Sequence, residues 1–281
     1  MMNHTVFRLK FSISSDYACF PFIFEGGVVP GVSAILSSRF AGNMAYSEGT
    51  NSPARLALFR SLNLNPGDVY ACTQVHSRDV YEVGRETPNI HPRADGLISR
   101  ERGVTLLVTV ADCLPVFLYD TGGGSAAGRG NGGLALVHSG FRGTGIALNA
   151  LRLMEERWRT RPEDVAAILG PCIRGCCYRV DEARARAFNA EFGGVAGVFP
   201  AGPVVSEAGG GFFLDLQAAN VHLLAGAGVR NIAVCEDCTF TDERLGSFRR
   251  EGALGYTRMA ALAGFFDIDE TASLKSAAPQ G

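Results

Sequence analysis

The stretch Thr105-Leu-Leu-Val-Thr-Val-Ala-Asp-Cys-Leu-Pro-Val-Phe-Leu-Tyr119 sets the architecture. It holds two runs of β-branched, leucine and aromatic residues, 105–110 and 115–119, parted by Ala111, Asp112, Cys113 and Leu114, with the chain-turning Pro115 opening the second. Runs this short, apolar on successive rather than alternate residues, read as strands covered on both faces. Similar runs recur at 69–75, 134–138, 165–169 and 231–234. Helical spacing lies between some of them. Ala147, Leu151, Met154 and Trp158 form one apolar stripe, with Arg152, Glu155, Glu156 and Arg159 on the wet side. Asp181 is placed to cap a second helix that buries Ala185, Phe188 and Phe192, and a third runs from about Asp215 toward Gly226 or Gly228. Strand runs come both in adjacent pairs and separated by helices, which predicts an α+β fold of mixed β-sheets covered by helices.

A chain of 281 residues with 47% hydrophobic composition has material for one elaborated core, so a single catalytic domain is expected over 1–269, with a small, polar, disordered tail at 270–281. The glycine-rich stretches 121–133 and 193–211 read as loops set into this frame, and the glycines of the first fit no GxxxxGK[ST] phosphate cradle. The 28 acidic and 26 basic residues nearly cancel, so no global field recruits nucleic acid or an anionic membrane. No apolar run approaches the roughly 18 residues of a membrane span, and the first residues lack a secretion signal. The expectation is a cytoplasmic protein, monomeric or a small homo-oligomer, whose partner is a small molecule and whose cysteines stay thiols.

Two of the five histidines close apolar runs, in Gln74-Val75-His76-Ser77 and Val137-His138-Ser139-Gly140. Cys113 stands between two further strands. Imidazole nitrogen and thiolate sulfur are ligands that zinc prefers, and three protein ligands leave a fourth tetrahedral position open, the pattern of a catalytic site. His76, Cys113 and His138 are thus candidate metal ligands if the fold brings them to one sheet edge, since they lie too far apart in sequence to form a local motif. Arg142 follows in Gly140-Phe141-Arg142-Gly143-Thr144-Gly145, before a helix start; it either helps backbone N–H groups hold an anion such as phosphate or lies exposed in a plain turn. Asp112 either orients a ligating imidazole or caps a turn. Cys172, Cys176, Cys177, Cys235 and Cys238 are buried thiols, or join in a structural zinc site, though their spacing lacks paired knuckles. Arg244, Arg249, Arg250 and Arg258 crowd a segment with interspersed acids; a solvated face is the default, with Arg249 as the candidate for substrate phosphate. His4, His91 and His222 stand apart and read as structural or surface residues.

The motifs QVHSRDVYEV, ADGLIS, GVTLLVTVADCLPVFLYD, ALVHSGFRGTG, ILGPCIRGCCYRV, LDLQAANVHLLAGAGV and CEDCTFTDERLGSFRREGALGYTRMAAL come in an order and spacing that resembles the YfiH-like, laccase-domain family, formerly labelled multicopper polyphenol oxidases and later described as purine nucleoside phosphorylases. The resemblance implies a fold similar to that of the cytotoxic necrotizing factor-like cysteine hydrolases. It also implies one zinc ion per chain on His76, Cys113 and His138. Implied too are phosphorolysis of adenosine, inosine, guanosine and methylthioadenosine with phosphate as co-substrate, and an adenosine deaminase activity. Zinc, which draws the acidity of a water toward neutrality, suits the deamination, and an anion-binding pocket suits the phosphorolysis. The chain departs from the family at Phe141, where a tryptophan is usual, and at Tyr256-Thr257-Arg258, where Thr-Gly-Arg is usual. A multicopper centre needs about ten histidines, which argues against laccase chemistry. The same residues also admit a hydrolase of peptidoglycan precursors, with Cys113 as nucleophile and His138 as base, and a non-enzymatic, metal-stabilised binding module.

Overall fold

The structure, a computed structural model, describes residues 5–12, 16–47, 50–88, 91–122, 132–195 and 202–265. His4, most of the 121–133 stretch and the expected tail at 270–281 lie outside them. Two mixed sheets stack at the centre. The larger runs in the order Thr5–Leu9, Asn231–Cys235, Val165–Leu169, Leu114–Asp120, Leu134–Ser139, Gly96–Ser99, Val80–Glu82. The smaller runs Tyr17–Phe20, Ser33–Ser37, Met259–Gly264, Thr105–Val110, Val69–Ala71. The two runs of the opening stretch thus belong to different sheets, and Ala111–Cys113 is the crossing between them.

That arrangement explains the unbroken apolar runs. On Leu114–Asp120, Val116 and Leu118 pack toward the helices while Phe117 points at the other sheet. On Thr105–Val110, Leu106 and Val108 face the larger sheet and Leu107 faces the helix Pro53–Ser61, packed with Leu58 and Phe59. Each sheet is covered on both faces, so polar alternation would place polar groups in a core. Helix Ile146–Trp158 buries Ala147, Leu151 and Met154 as the stripe required, and helices Glu182–Phe192 and Leu216–Gly226 start at Asp181 and Asp215, whose side chains accept the N–H groups of Arg184 and Ala218.

Two expectations are corrected. The 69–75 strand ends at Ala71, because the Gln74 side-chain amide takes over the pairing: it donates to the Thr109 carbonyl and accepts the Thr109 N–H, both at 2.8 Å. The chain then turns at His76, which has φ 58°. The 193–211 stretch is not all loop, since Val205–Ala208 and Gly211–Leu214 pair as an antiparallel hairpin. Gly209 and Gly210 take φ values of 55° and 68° there, the left-handed pair that a tight hairpin turn demands.

Candidate metal centre

His76, Cys113 and His138 meet where the two sheets join. His138 is buried on strand Leu134–Ser139, Cys113 is half-buried in the crossing, and His76 is exposed in the turn after Gln74. One ligand atom from each lies within 4.8 Å of the others. A tetrahedral ion holding nitrogen near 2.0–2.1 Å and sulfur near 2.3 Å spaces such atoms about 3.4–3.8 Å apart, so the residues fit a metal with small adjustments. The imidazole rings stand edge to face, centroids 5.0 Å apart. Gly140 makes room for the group: a Cβ on it would lie 2.8 Å from Cys113 Sγ.

The residue that assembles the centre is Asp95, which sequence reasoning missed. Its carboxylate is fully buried, and Oδ1 pairs with His138 Nδ1 at 2.9 Å, leaving Nε2 as the nitrogen for a ligand bond. Oδ2 accepts the N–H groups of Val75 and Ser77 at 3.1 and 2.6 Å, and the Ser77 hydroxyl at 3.0 Å. Those N–H groups flank His76 and hold its left-handed turn. One carboxylate therefore positions both histidines. The Asp95 carbonyl also accepts the His138 N–H at 2.7 Å. Burial alone would raise the Asp95 carboxyl, but the His138 ring and the Ser77 and Val75 N–H groups outweigh it and hold it at about 2. In sequence Asp95 stands in the motif ADGLIS, just before the strand Gly96–Ser99, with no role assigned to it.

Cys113 and His138 shift each other's titration. Burial would push the thiol up, yet the His138 charge, with hydrogen bonds from His138 and His76, draws it down to about 6. The same pairing, with Asp95 behind it, raises His138 despite burial.

The centre opens into a cavity of about 440 Å³. Tyr178, Phe248, Tyr256, Arg249 and Arg258 also line it. The Arg249 guanidinium lies 5.1 Å from the Tyr178 ring and donates to the Arg179 carbonyl at 2.9 Å; that of Arg258 lies 4.3 Å from Tyr256. Arg142 is exposed and does not line this cavity. The N–H groups of Ile146 and Leu148 bond the carbonyls of Gly143 and Gly145, so this helix start spends two donors on its own turn. Of the expected phosphate arginines, the cavity contains Arg249, and Arg258 joins it.

Asp112 serves the wall and not the histidines. Its Oδ1 accepts the Thr239 hydroxyl at 2.6 Å, its Oδ2 the Arg249 N–H at 2.7 Å, and its carbonyl the Ile173 N–H at 2.9 Å. At φ 88° it is held in the left-handed region beside Cys113. No disulfide joins Cys172, Cys176, Cys177, Cys235 and Cys238. Cys172 and Cys235 are buried in separate core regions, and burial pushes both thiols up. His91 stacks on Tyr46 at 3.9 Å, and buried His222 pairs with the Gly202 carbonyl at 3.0 Å.

Fold and site together define an α+β protein with an open His-Cys-His centre at the junction of two sheets. The chain belongs to the family described as multi-copper polyphenol oxidoreductase laccase, whose sequence model matches residues 47–265. It is 33% identical over 256 residues to the purine nucleoside phosphorylase YlmD of Geobacillus stearothermophilus, covering 85% of this chain and 87% of that protein. It is 33% identical over 199 residues to a purine nucleoside phosphorylase of Corynebacterium glutamicum, covering 69% and 74%. The crystal structure of YlmD superposes with a TM-score of 0.72 at 28% identity, over 92% of this chain and 99% of that one. The Bacillus licheniformis protein YfiH shares the fold, with a TM-score of 0.70 at 22% identity over 83% and 92% of the two chains.

Proposed function

We propose that this chain is a zinc-dependent purine nucleoside phosphorylase acting on adenosine, inosine, guanosine and methylthioadenosine, with an adenosine deaminase activity in the same cavity. The observation that carries the reading is that two arginines and three aromatic residues line, together with His76, Cys113 and His138, one cavity of about 440 Å³, a volume suited to a small molecule. Arg249 and Arg258 supply guanidinium groups for a phosphate, and Tyr178, Phe248 and Tyr256 offer faces to a planar base. In phosphorolysis a phosphate oxygen bonds to ribose C1′ as the bond from C1′ to the purine nitrogen breaks. The bonding pair leaves with the base, and the proton of the phosphate passes to it, giving free purine and ribose 1-phosphate. Zinc, when bound, supplies a positive charge and Lewis acidity at the cavity floor. Asp95 keeps the His138 tautomer fixed, and the aromatic wall limits water around the sugar.

The test is base release from inosine with and without phosphate. Hypoxanthine that forms only with phosphate, together with ribose 1-phosphate, supports the proposal; release independent of phosphate overturns it. One observation favours a second reading: Cys113, His138 and Asp95 are ordered like a nucleophile, its base and the group that orients the base, with the thiol drawn down to about 6. That hydrolase reading requires activity in protein stripped of metal, where the phosphorylase reading requires its loss.

A further inference from the structure

Away from this cavity a second group of soft ligands converges. The Sγ atoms of Cys176, Cys177 and Cys238 lie within 4.8 Å of one another, with Cys176 and Cys177 at 3.3 Å. Cys238 is buried, Cys177 half-buried and Cys176 exposed. The group joins two segments far apart in sequence. A bridge pairs Cys172 with Cys238, the Thr239 N–H donates to the Cys172 carbonyl at 3.1 Å, and the Arg174 N–H donates to Cys238 Sγ at 3.5 Å. The Thr241 and Asp242 N–H groups donate to the Cys238 carbonyl at 3.2 and 2.9 Å and fix the turn that carries this sulfur. Cys176 and Cys238 line a cavity of about 860 Å³ that also carries Asp215, Glu236, Asp237, Asp242 and Glu243, of which Asp215 pairs with Arg174, Glu236 with Arg8, and Asp237 and Asp242 with Arg244.

We infer that Cys176, Cys177 and Cys238 form a second metal site, a three-thiolate site for zinc open on its fourth side to this cavity, which fastens the Cys176-Cys177 turn to the Cys238 turn. The distances favour a shared ion over a bond between the neighbouring thiols. Sulfurs around tetrahedral zinc stand about 3.8 Å apart, inside the observed range, whereas a disulfide requires about 2.05 Å. Adjacent residues also hold their Cα atoms about 3.8 Å apart, shorter than the usual disulfide span of about 4.4 Å or more. Sulfur without imidazole selects a soft cation over calcium or magnesium. The site is linked to the first cavity, because Ile173 and Thr239, each next to the joined segments, both bind Asp112. A metal here would brace the wall that carries Tyr178 and Arg249.

The test is zinc stoichiometry on the full chain, purified under reductant and loaded with zinc alone. Wild type should hold about two equivalents, Cys113→Ala about one, and the Cys177→Ser/Cys238→Ser double variant about one, three or four ligands being the rule for protein zinc. Cobalt substitution separates the sites. The sulfur-to-cobalt absorption should persist at about three-quarters of its wild-type intensity in Cys113→Ala and fall to about a quarter in the double variant, following three and one of the four Co–S bonds. If the double variant is unstable, Cys176→Ser alone must still weaken the second zinc at least tenfold. The inference is overturned if Cys113→Ala holds no zinc, if the double variant still holds two, or if mass analysis finds Cys238 in a disulfide with either neighbour. The zinc count of the second site does not depend on whether base release requires phosphate, so the two readings stand or fail separately.

Discussion

Replacing Asp95 with Asn is the sharpest perturbation of the centre, because it keeps the side chain's shape and removes its charge. The carboxylate meets His138 Nδ1 on one oxygen and three donors on the other. An amide cannot serve both sides. With its NH2 toward Val75 and Ser77, donor faces donor and the turn bearing His76 is released. With its NH2 toward His138, the ring must accept at Nδ1, the proton moves to Nε2, and the nitrogen that faces the ligand site loses its lone pair. Either outcome should weaken zinc binding about 10- to 100-fold, the usual effect of removing a partner of a ligating imidazole. Competition with a chromophoric chelator measures this. Holding the carboxyl at about 2 against its ordinary 3.8 corresponds to about 2 kcal/mol of stability, undiminished by solvent since the group is fully buried. The sign follows from the depressed value: this stability is complete above about pH 4 and is lost as the pH falls through about 2. Metal-free Asp95→Asn should therefore melt about 4–8 °C below wild type at pH 7, with the gap closing in acid. Zinc affinity within twofold of wild type, or a melting gap that does not shrink in acid, would refute this account of the centre.

Four further outcomes follow from named contacts. Gly140→Ala places a methyl 2.8 Å from Cys113 Sγ and should cost at least tenfold in zinc affinity while the melting temperature moves little, as titration and calorimetry would record. In chelator-stripped protein, alkylation of Cys113 should follow a midpoint near pH 6, while Cys72, pushed up to about 12 by burial and then by Asp95, stays unreactive at neutral pH. Arg249→Ala should raise the KM for phosphate about tenfold or more, the worth of a charge-assisted hydrogen bond, and Arg142→Ala should leave it within about twofold; steady-state kinetics that reverse this order would return the phosphate to Arg142. Phe117→Ala, emptying a fully buried ring site between the two sheets, should destabilise the protein by about 3–5 kcal/mol in denaturant titration.

The elements and the ligand types were legible in the chain before any folding was considered. Unbroken apolar runs announced core strands, helical spacing announced the helices, one of them with Asp181 as its cap, and the ordered motifs singled out His76, Cys113 and His138. These signals are local, carried by periodicities of a few residues and by backbone donors that a nearby side chain must satisfy. The rest belongs to tertiary structure. Strand order across two sheets brings residues 76, 95, 113 and 138 together, and nothing near Asp95 in the chain assigns it a role. Arg142 and Arg249 are equally plausible arginines in sequence; which one faces the cavity depends on how the segment after Cys235 folds back over the crossing at Asp112. The cysteines divide in the same way. Cys172 and Cys238 pair across a bridge, so Cys238 reaches Cys176 and Cys177 while Cys235 and Cys172 sink into core. Ligand sets of this kind depend on long-range convergence, and the chain fixes that through packing of the sheets and not through spacing.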